Sequence, residues 1–573
     1  MQTMSLANGP TRQTDWQGVD WRAANRSVRN LRQRIFRASQ AGDLKRVRSL
    51  QKLMLRSYAN TLVSVRRVTQ VNRGRNTPGV DKLVVKTPEA RGRLVDHLTT
   101  FRPWTAKPAR RVYIPKANAK LRPLSIPSVI DRCLQARVKN ALEPQWEAIF
   151  EGSSYGFRPG RGCHDAIAKV YLLARPHGRK KWVVDADIEG AFDHISQDHI
   201  LDAIGSFPAR GLIRQWLKAG YVDKGVFHET PTGTGQGSVI SPLLANIALH
   251  GMEGALGVRH DSRGQICGPR AVVRYADDWV VFCESKEDAE QVIATMRDWL
   301  AERGLTLSEE KTRIVHLTDG FAFLGFSIKH YPARAPSRTG YKLLIKPSEA
   351  SVRRLRERLH EMWLRRRGKP VATLIHEINP VIRGWVNYFR IAVASDTFAK
   401  LDSWMFTRAY RYAAFRHPKK SWAWRQHRYW GKLNPHRDDR WVFGDPQSGV
   451  YLLKFGWFPV RRHTLVRGTA SPDDPRLRAY WRDRAAAKAG SQTAKTQMLT
   501  RRQDHVCPVC NDALSNGEDV HTHHIQPRQQ GGTDEGDNLI LVHLYCHQQI
   551  HGDARQGRVV HEPQRRWLRA WLA

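Results

Sequence analysis

The stretch Ala271-Val272-Val273-Arg274-Tyr275-Ala276-Asp277-Asp278-Trp279-Val280-Val281-Phe282 decides the reading of this chain. Two apolar runs flank Tyr275-Ala276-Asp277-Asp278, a pattern that predicts a β-hairpin with two adjacent carboxylates in its turn. Neighbouring Asp side chains repel each other unless something cationic holds them. A pair of Mg²⁺ ions transferring a nucleotide would do so. Taken alone, an Asp-Asp pair is more simply a solvated acidic turn. A nucleotidyl-transfer site needs a third carboxylate from a neighbouring strand. Asp187 suits that place, because Lys181-Trp182-Val183-Val184-Asp185-Ala186-Asp187 reads as a buried strand ending in carboxylates. Asp185 shares its face by alternation, and Asp193 follows in the next helix; either has a structural reading.

Charge points the same way. The 573 residues carry 94 Lys and Arg against 53 Asp and Glu, a formal net charge of +41. Such an excess repels itself unless a polyanion neutralises it, so RNA or DNA is the expected partner. No apolar run reaches the roughly 18 residues of a transmembrane helix, and the N-terminus has no apolar signal core; no membrane partner is expected. Seven cysteines in this length do not make a disulfide scaffold. Cys133, Cys163, Cys267 and Cys283 read as buried thiols. Cys507, Cys510 and Cys546 cluster near the C-terminus with the tight spacing of a zinc site. A reducing cytosol fits these thiols.

Around the hairpin the chain divides by character. Residues 1–105 are basic and helical, with Asp43 as a helix cap and Leu44, Val47, Leu50, Met54, Tyr58 and Leu62 at helical spacing. Residues 106–335 alternate strands and helices, an α+β pattern. Residues 336–435 read as helices rich in Arg and Trp, the Trp as core and the basic residues as an RNA surface. Residues 436–495 hold Pro, Gly and Asp with some strand-like runs, then an Ala- and Lys-rich helix or linker, and are expected to bind DNA or link. A Cys/His module fills 496–573.

The ordered string Arg111-Val112-Tyr113-Ile114-Pro115-Lys116, Arg122-Pro123-Leu124-Ser125-Ile126-Pro127, Asp131-Arg132, Tyr155-Gly156-Phe157-Arg158-Pro159-Gly160, Asp187 to Phe192, Gly235-Gln236-Gly237-Ser238, Ser241-Pro242, Tyr275 to Asp278, Lys311-Thr312 and Phe323-Leu324-Gly325-Phe326 resembles the reverse transcriptase of group II intron-encoded proteins. Arg383-Gly384-Trp385-Val386-Asn387-Tyr388-Phe389 is similar to that family's thumb, or maturase domain. The resemblance implies a right-hand polymerase with fingers and palm, a helical thumb, and Asp187, Asp277 and Asp278 as ligands of two Mg²⁺ ions. It implies Lys116 and Arg122 at the triphosphate of the incoming deoxynucleotide, where an Arg fork matches phosphate oxygens. It places Phe192 as a steric gate against a 2′-hydroxyl, and Gln236 where backbone approaches the nucleotide closely.

The tail, from Cys507-Pro508-Val509-Cys510 through His523-His524 and Asn538 to His543-Leu544-Tyr545-Cys546-His547 and His551, resembles the HNH endonuclease module, a small ββα-metal fold. A zinc knuckle that only folds a small domain is the simpler alternative. His543 stands where many members have a Cys, and His is a good zinc ligand, so a structural zinc on Cys507, Cys510, His543 and Cys546 is expected. The resemblance further implies His524 as general base, Asn538 to orient it, and His523, His547 and His551 around Mg²⁺ or another divalent ion. Together these expectations describe a protein of the bacterial cytoplasm, bound to RNA and nucleoid DNA, that aids splicing of its intron RNA. Its nuclease would nick target DNA, and its polymerase would extend the new end. A maturase without catalysis and a host-defence reverse transcriptase are the rivals; intact carboxylates and the fused nuclease speak against them.

Overall fold

The computed structural model describes residues 14–100, 103–115, 121–261, 264–333, 339–488, 494–516 and 518–555. Its centre is a four-stranded antiparallel sheet in the spatial order Arg313–His316, Trp182–Ala186, Asp278–Cys283, Ala271–Tyr275. The apolar runs are continuous because both faces are covered. Val184, Val272 and Val281 point into one core with Val292, Met296 and Leu300 of the helix Lys286–Ala301. Val183, Val273, Val280 and Phe282 point into another, shared with Ile167 and Val170 of the helix Cys163–Leu173. The period of two thus sorts each strand between two cores.

Two further sheets flank this centre, one four-stranded and one three-stranded. One runs Leu121–Ile126, Ala109–Pro115, Tyr221–Asp223, Val226–His228, and the other runs Phe321–Phe323, Phe326–Pro332, Tyr341–Pro347. The basic N-terminal region forms helices Trp21–Gln40, Leu44–Arg56 and Tyr58–Arg66, and the Asp43 side chain accepts from the Arg46 N–H as a cap. Its stripe is interrupted: Val47, Leu50, Met54 and Leu62 are buried, whereas Leu44 and Tyr58 are exposed. The chain starts a new helix at Ser57, which resets the phase of the periodicity.

Helices Glu349–Arg365, Val371–Phe389, Ser395–Arg416 and Trp422–Tyr429 make a separate bundle core around Leu359, Ile378, Val386 and Phe398. Trp363 and Trp430 belong to that core, but Trp424 is exposed, against the expectation that the Trp residues of this region are core. The stretch beyond it is packed rather than free. Asp165 accepts from the Val466 N–H at 2.9 Å and pairs with His463 at 2.9 Å and with Arg484, while Arg32 binds Asp473 at 2.7 Å. Residues 463–484 therefore strap the central domain to the N-terminal helices. Of the four scattered cysteines, Cys133 and Cys283 are buried and Cys163 partly so, but Cys267 is exposed. No helix among the described residues is long and apolar enough to cross a membrane.

The C-terminal module is a hairpin, Val520–His524 against Leu539–His543, followed by the helix Leu544–Arg555. Its apolar residues join those of the N-terminal helices in one core, with Trp21, Val65 and Val68 from one side and Val509, Leu539 and Leu541 from the other.

Candidate active sites

The hairpin at the centre turns through Ala276 and Asp277, and Asp278 opens the returning strand. Asp185 pairs with Val280, so the same register, two steps further, sets Asp187 opposite Asp278. Asp185, Asp187 and Asp278 line one cleft with Lys311 and Arg313. Asp185 is engaged, because the Arg313 Nε and Nη2 donate to its Oδ2 at 3.0 and 2.9 Å. Asp187 pairs with the Lys311 ammonium. Packing around the Asp278 carboxyl and the like charges of Asp277, Asp187 and Asp185 push it up to about 7. Burial and Asp187 raise Asp277 as well, against the pull of Arg122 and Lys311. These hard oxygen donors repel one another, and Mg²⁺ is the kind of ion that such donors bind.

The turn rests on a buried polar chain. Ala276 holds a φ of 60°, unusual for a residue with a Cβ. Arg274 Nη1 donates to the Ala276 carbonyl at 3.2 Å and to Asn246 Oδ1 at 3.0 Å, and Asn246 Nδ2 donates to the Gly156 carbonyl at 2.8 Å. Gly156 lies directly beneath the turn, since a Cβ there would stand 2.3 Å from the Ala276 nitrogen. Arg274 was not singled out from the sequence. An Arg inside an otherwise apolar strand was the available signal.

Arg122 lies on the flanking strand opposite Ile114 and is exposed. Lys116 lies outside the described residues. Phe192, in the short helix Ala191–His194, is 7% exposed and meets Phe157 edge-on at 6.3 Å. Gln236 sits between Gly235 and Gly237, whose φ values are 64° and 106°. Its carbonyl accepts from the Ser125 N–H, and its buried side-chain Oε1 has no protein partner.

In the C-terminal module two donor clusters form. The ligand atoms of Cys507, Cys510, His543 and Cys546 lie within 4.8 Å of one another, and all four residues are buried. His543 Nε2 faces the Ala513 carbonyl at 3.1 Å, leaving Nδ1 toward Cys510 Sγ at 3.3 Å. A second-atom contact of this kind orients a metal-ligating His, and three thiols plus one imidazole match the donor set of zinc. His523, His547 and His551 form the second cluster, also within 4.8 Å. Burial, then the neighbouring imidazoles, push His523 down to about 4 and lower His547. A lowered pKa favours the neutral imidazole, the form that binds a metal.

His524 lies beside this cluster, with its Nε2 2.7 Å from Asp534 Oδ1. Asp534 also accepts from Arg528, which holds its carboxyl well below the usual carboxylate range, with His524 adding to the effect. Asn538 does something other than orient His524. Its Oδ1 accepts from the Gln526 N–H at 2.7 Å, and its Nδ2 donates to the carbonyls of Gln526 and Thr533 at 3.0 and 2.8 Å. It staples the loop that carries Asp534. Asp534 was missed because a carboxylate in a Gly-Gly-Thr-Asp turn reads as ordinary turn chemistry.

Four family descriptions match the chain. They are the N-terminal domain of reverse transcriptase over residues 16–98, reverse transcriptase (RNA-dependent DNA polymerase) over 114–328, the group II intron maturase-specific domain over 352–430, and HNH endonuclease over 507–553. Protein YkfC of Escherichia coli is 36% identical over 50% of this chain and 84% of its own length. The group II intron-encoded protein LtrA of Lactococcus lactis is 30% identical over 41% of this chain and 49% of its own, so the chain spans about half of that relative. Among solved structures, a telomerase from Candida albicans aligns over 69% of this chain and 64% of its own at 11% identity, with a TM-score of 0.32. The chain belongs to the group II intron-encoded proteins, with reverse transcriptase, maturase and HNH endonuclease domains in one polypeptide.

Proposed function

We propose that this protein binds its intron RNA, assists its splicing, nicks a DNA target with the C-terminal module and copies the RNA from the new 3′ end. The observation that carries the reading is the presence, in one chain, of converging carboxylates on the central sheet and a His trio beside His524.

Asp187, Asp277 and Asp278 would hold two Mg²⁺ ions, which supply charge neutralisation at the attacking and leaving oxygens. Arg122 stands close enough to Asp277 to lower its pKa, and in this reading meets the triphosphate. Phe192 closes the floor of the sugar site by its bulk, and Gln236, whose side-chain Oε1 has no protein partner, faces the nucleotide. Lys116, outside the described residues, is assigned to the same triphosphate by the family resemblance alone. In the nuclease, His523, His547 and His551 would hold a divalent ion, which stabilises the leaving oxygen. His524 takes a proton from the attacking water, and Asp534 steadies the imidazolium that results. The Cys507, Cys510, His543 and Cys546 group would hold a structural zinc.

The two activities separate by mutation. Asp277→Ala is expected to abolish primer extension on an RNA template while DNA nicking persists. His524→Ala is expected to do the reverse. Extension at the normal rate by Asp277→Ala would remove the polymerase assignment, and nicking by His524→Ala would place the base elsewhere.

A further inference from the structure

We propose that Arg66, from the N-terminal helices, is an outer-sphere partner of the Cys/His metal site, so that metal loading and docking of the nuclease module form one linked equilibrium. The inference rests on the reading of Cys507, Cys510, His543 and Cys546 as a metal site. Arg66 ends the helix Tyr58–Arg66, 480 residues in sequence from Cys546. It is 6% exposed. Its Nη2 donates to Cys546 Sγ at 3.3 Å and pairs with Glu518 Oε2 at 3.2 Å. The guanidinium lies over the Trp21 ring at 4.7 Å, while its Nε and Nη1 have no hydrogen-bond partner.

A buried cation so thinly satisfied is costly unless negative charge compensates it. Glu518 supplies one charge. A zinc ion on three thiolates and a neutral imidazole leaves a net −1 on the site, and Arg66 sits against one of those sulfurs. An N–H bond to a metal-bound thiolate is charge-assisted and stronger than one to a neutral thiol. Loading the metal therefore strengthens the grip of the module on the N-terminal helices, and by reciprocity docking strengthens the grip on the metal.

The surrounding contacts make the module a fixed part of the N-terminal region. Asn25 Nδ2 donates to the carbonyl of Cys510, itself in the metal group, at 3.2 Å. Tyr545, next to Cys546, donates its hydroxyl to the Gln70 carbonyl at 2.8 Å, where the chain makes the widened helical turn Arg67–Val71. Gln549 Nε2 donates to the Gln17 and Val19 carbonyls at 2.8 and 3.1 Å.

The test uses the full chain. Zinc content of the purified protein is measured first; a protein without zinc removes the metal reading itself. With zinc present, Arg66→Met, which keeps the bulk of the side chain and removes the charge, is expected to release zinc to a chelator about tenfold faster than wild type. Primer extension by the variant reports that the remainder is folded. Hydrogen exchange needs no variant: stripping zinc from the wild type is expected to deprotect residues 58–71. Zinc release from Arg66→Met at the wild-type rate, or unchanged protection of 58–71 after stripping, overturns the proposal.

Discussion

At the scale of single residues, the Asp277-Asp278 turn depends on a residue with no side chain. A Cβ at Gly156 would fall 2.3 Å from the Ala276 nitrogen and 2.9 Å from the Tyr275 carbonyl carbon. Backbone cannot yield as a flexible side chain can, so Gly156→Ala is expected to displace Asp277 and Asp278. Primer extension should fall at least about a hundredfold, the order set by an angstrom-scale misplacement, while nicking is retained. Extension within twofold of wild type would show that the turn tolerates the shift. Asp278 gives a pH prediction. Its folded value of about 7 lies above the ordinary carboxylate. The contribution to stability of a group raised this way is complete below its unfolded pKa and is lost as pH rises through the folded one. A cation among the carboxylates cancels the repulsion, so the rise in Tm on adding Mg²⁺ should grow from about pH 6 to pH 8. In Asp278→Asn that growth should flatten, and an unchanged pH dependence would detach the effect from this carboxyl. The Asp pair was legible from sequence because adjacent like charges need a cause. Gly156 and Arg274 were not, because their effect is exerted from different segments that meet only in three dimensions.

At the scale of elements, period-two burial explains why the central strands were readable: Val183 and Val184 enter opposite cores, so adjacent apolar residues run together in each strand. Other elements resisted. The helix Leu44–Arg56 ends at Ser57, and the apolar series that continued across it belongs to two helices with different phase. Residues 463–484 fall in the stretch expected to bind DNA or link, yet His463, Asp473 and Arg484 pair with Asp165 and Arg32 inside the fold. Asp165 is the hub. Burial pushes its carboxyl up, but His463 and Arg484 outweigh burial and hold it below the usual range. With side-chain exposures of 1% for Asp165 and 7% for Arg484, removing one partner strands the other. Asp165→Ala is expected to cost about 3–5 kcal/mol. The sign for pH follows from the lowered pKa: the contribution is present above the unfolded value and lost as pH falls through the folded one. Asp165→Ala should therefore lose least, relative to wild type, in acid. Chemical denaturation at neutral pH and near pH 3 measures both, and a neutral-pH loss under about 1 kcal/mol would class the cluster with surface pairs.

At the scale of the whole molecule, the +41 charge was visible before any element, but its distribution was not. On the helix Glu349–Arg365, Leu355, Leu359 and Trp363 face the bundle core, which leaves Arg353, Arg354, Arg356 and Arg358 exposed. Arg356 and Arg408 both lie over the Trp404 ring, at 5.4 and 4.8 Å from its centroid. Further along, Arg366 is already neutralised by Glu377 at 2.8 Å. This difference separates basic residues that release counterions on binding a polyanion from those that do not. The logarithm of affinity for structured RNA should fall linearly with the logarithm of salt concentration, with a slope near −0.7 to −0.9 per phosphate neutralised. Arg353→Gln and Arg358→Gln should each reduce that slope by about one and weaken binding to all RNA sequences alike. Arg366→Gln should leave the slope nearly unchanged, because its charge is already paired with Glu377. Unchanged slopes in Arg353→Gln and Arg358→Gln would mean that the exposed face of this helix is not where the RNA phosphates lie, and the excess charge would then have to act from another surface.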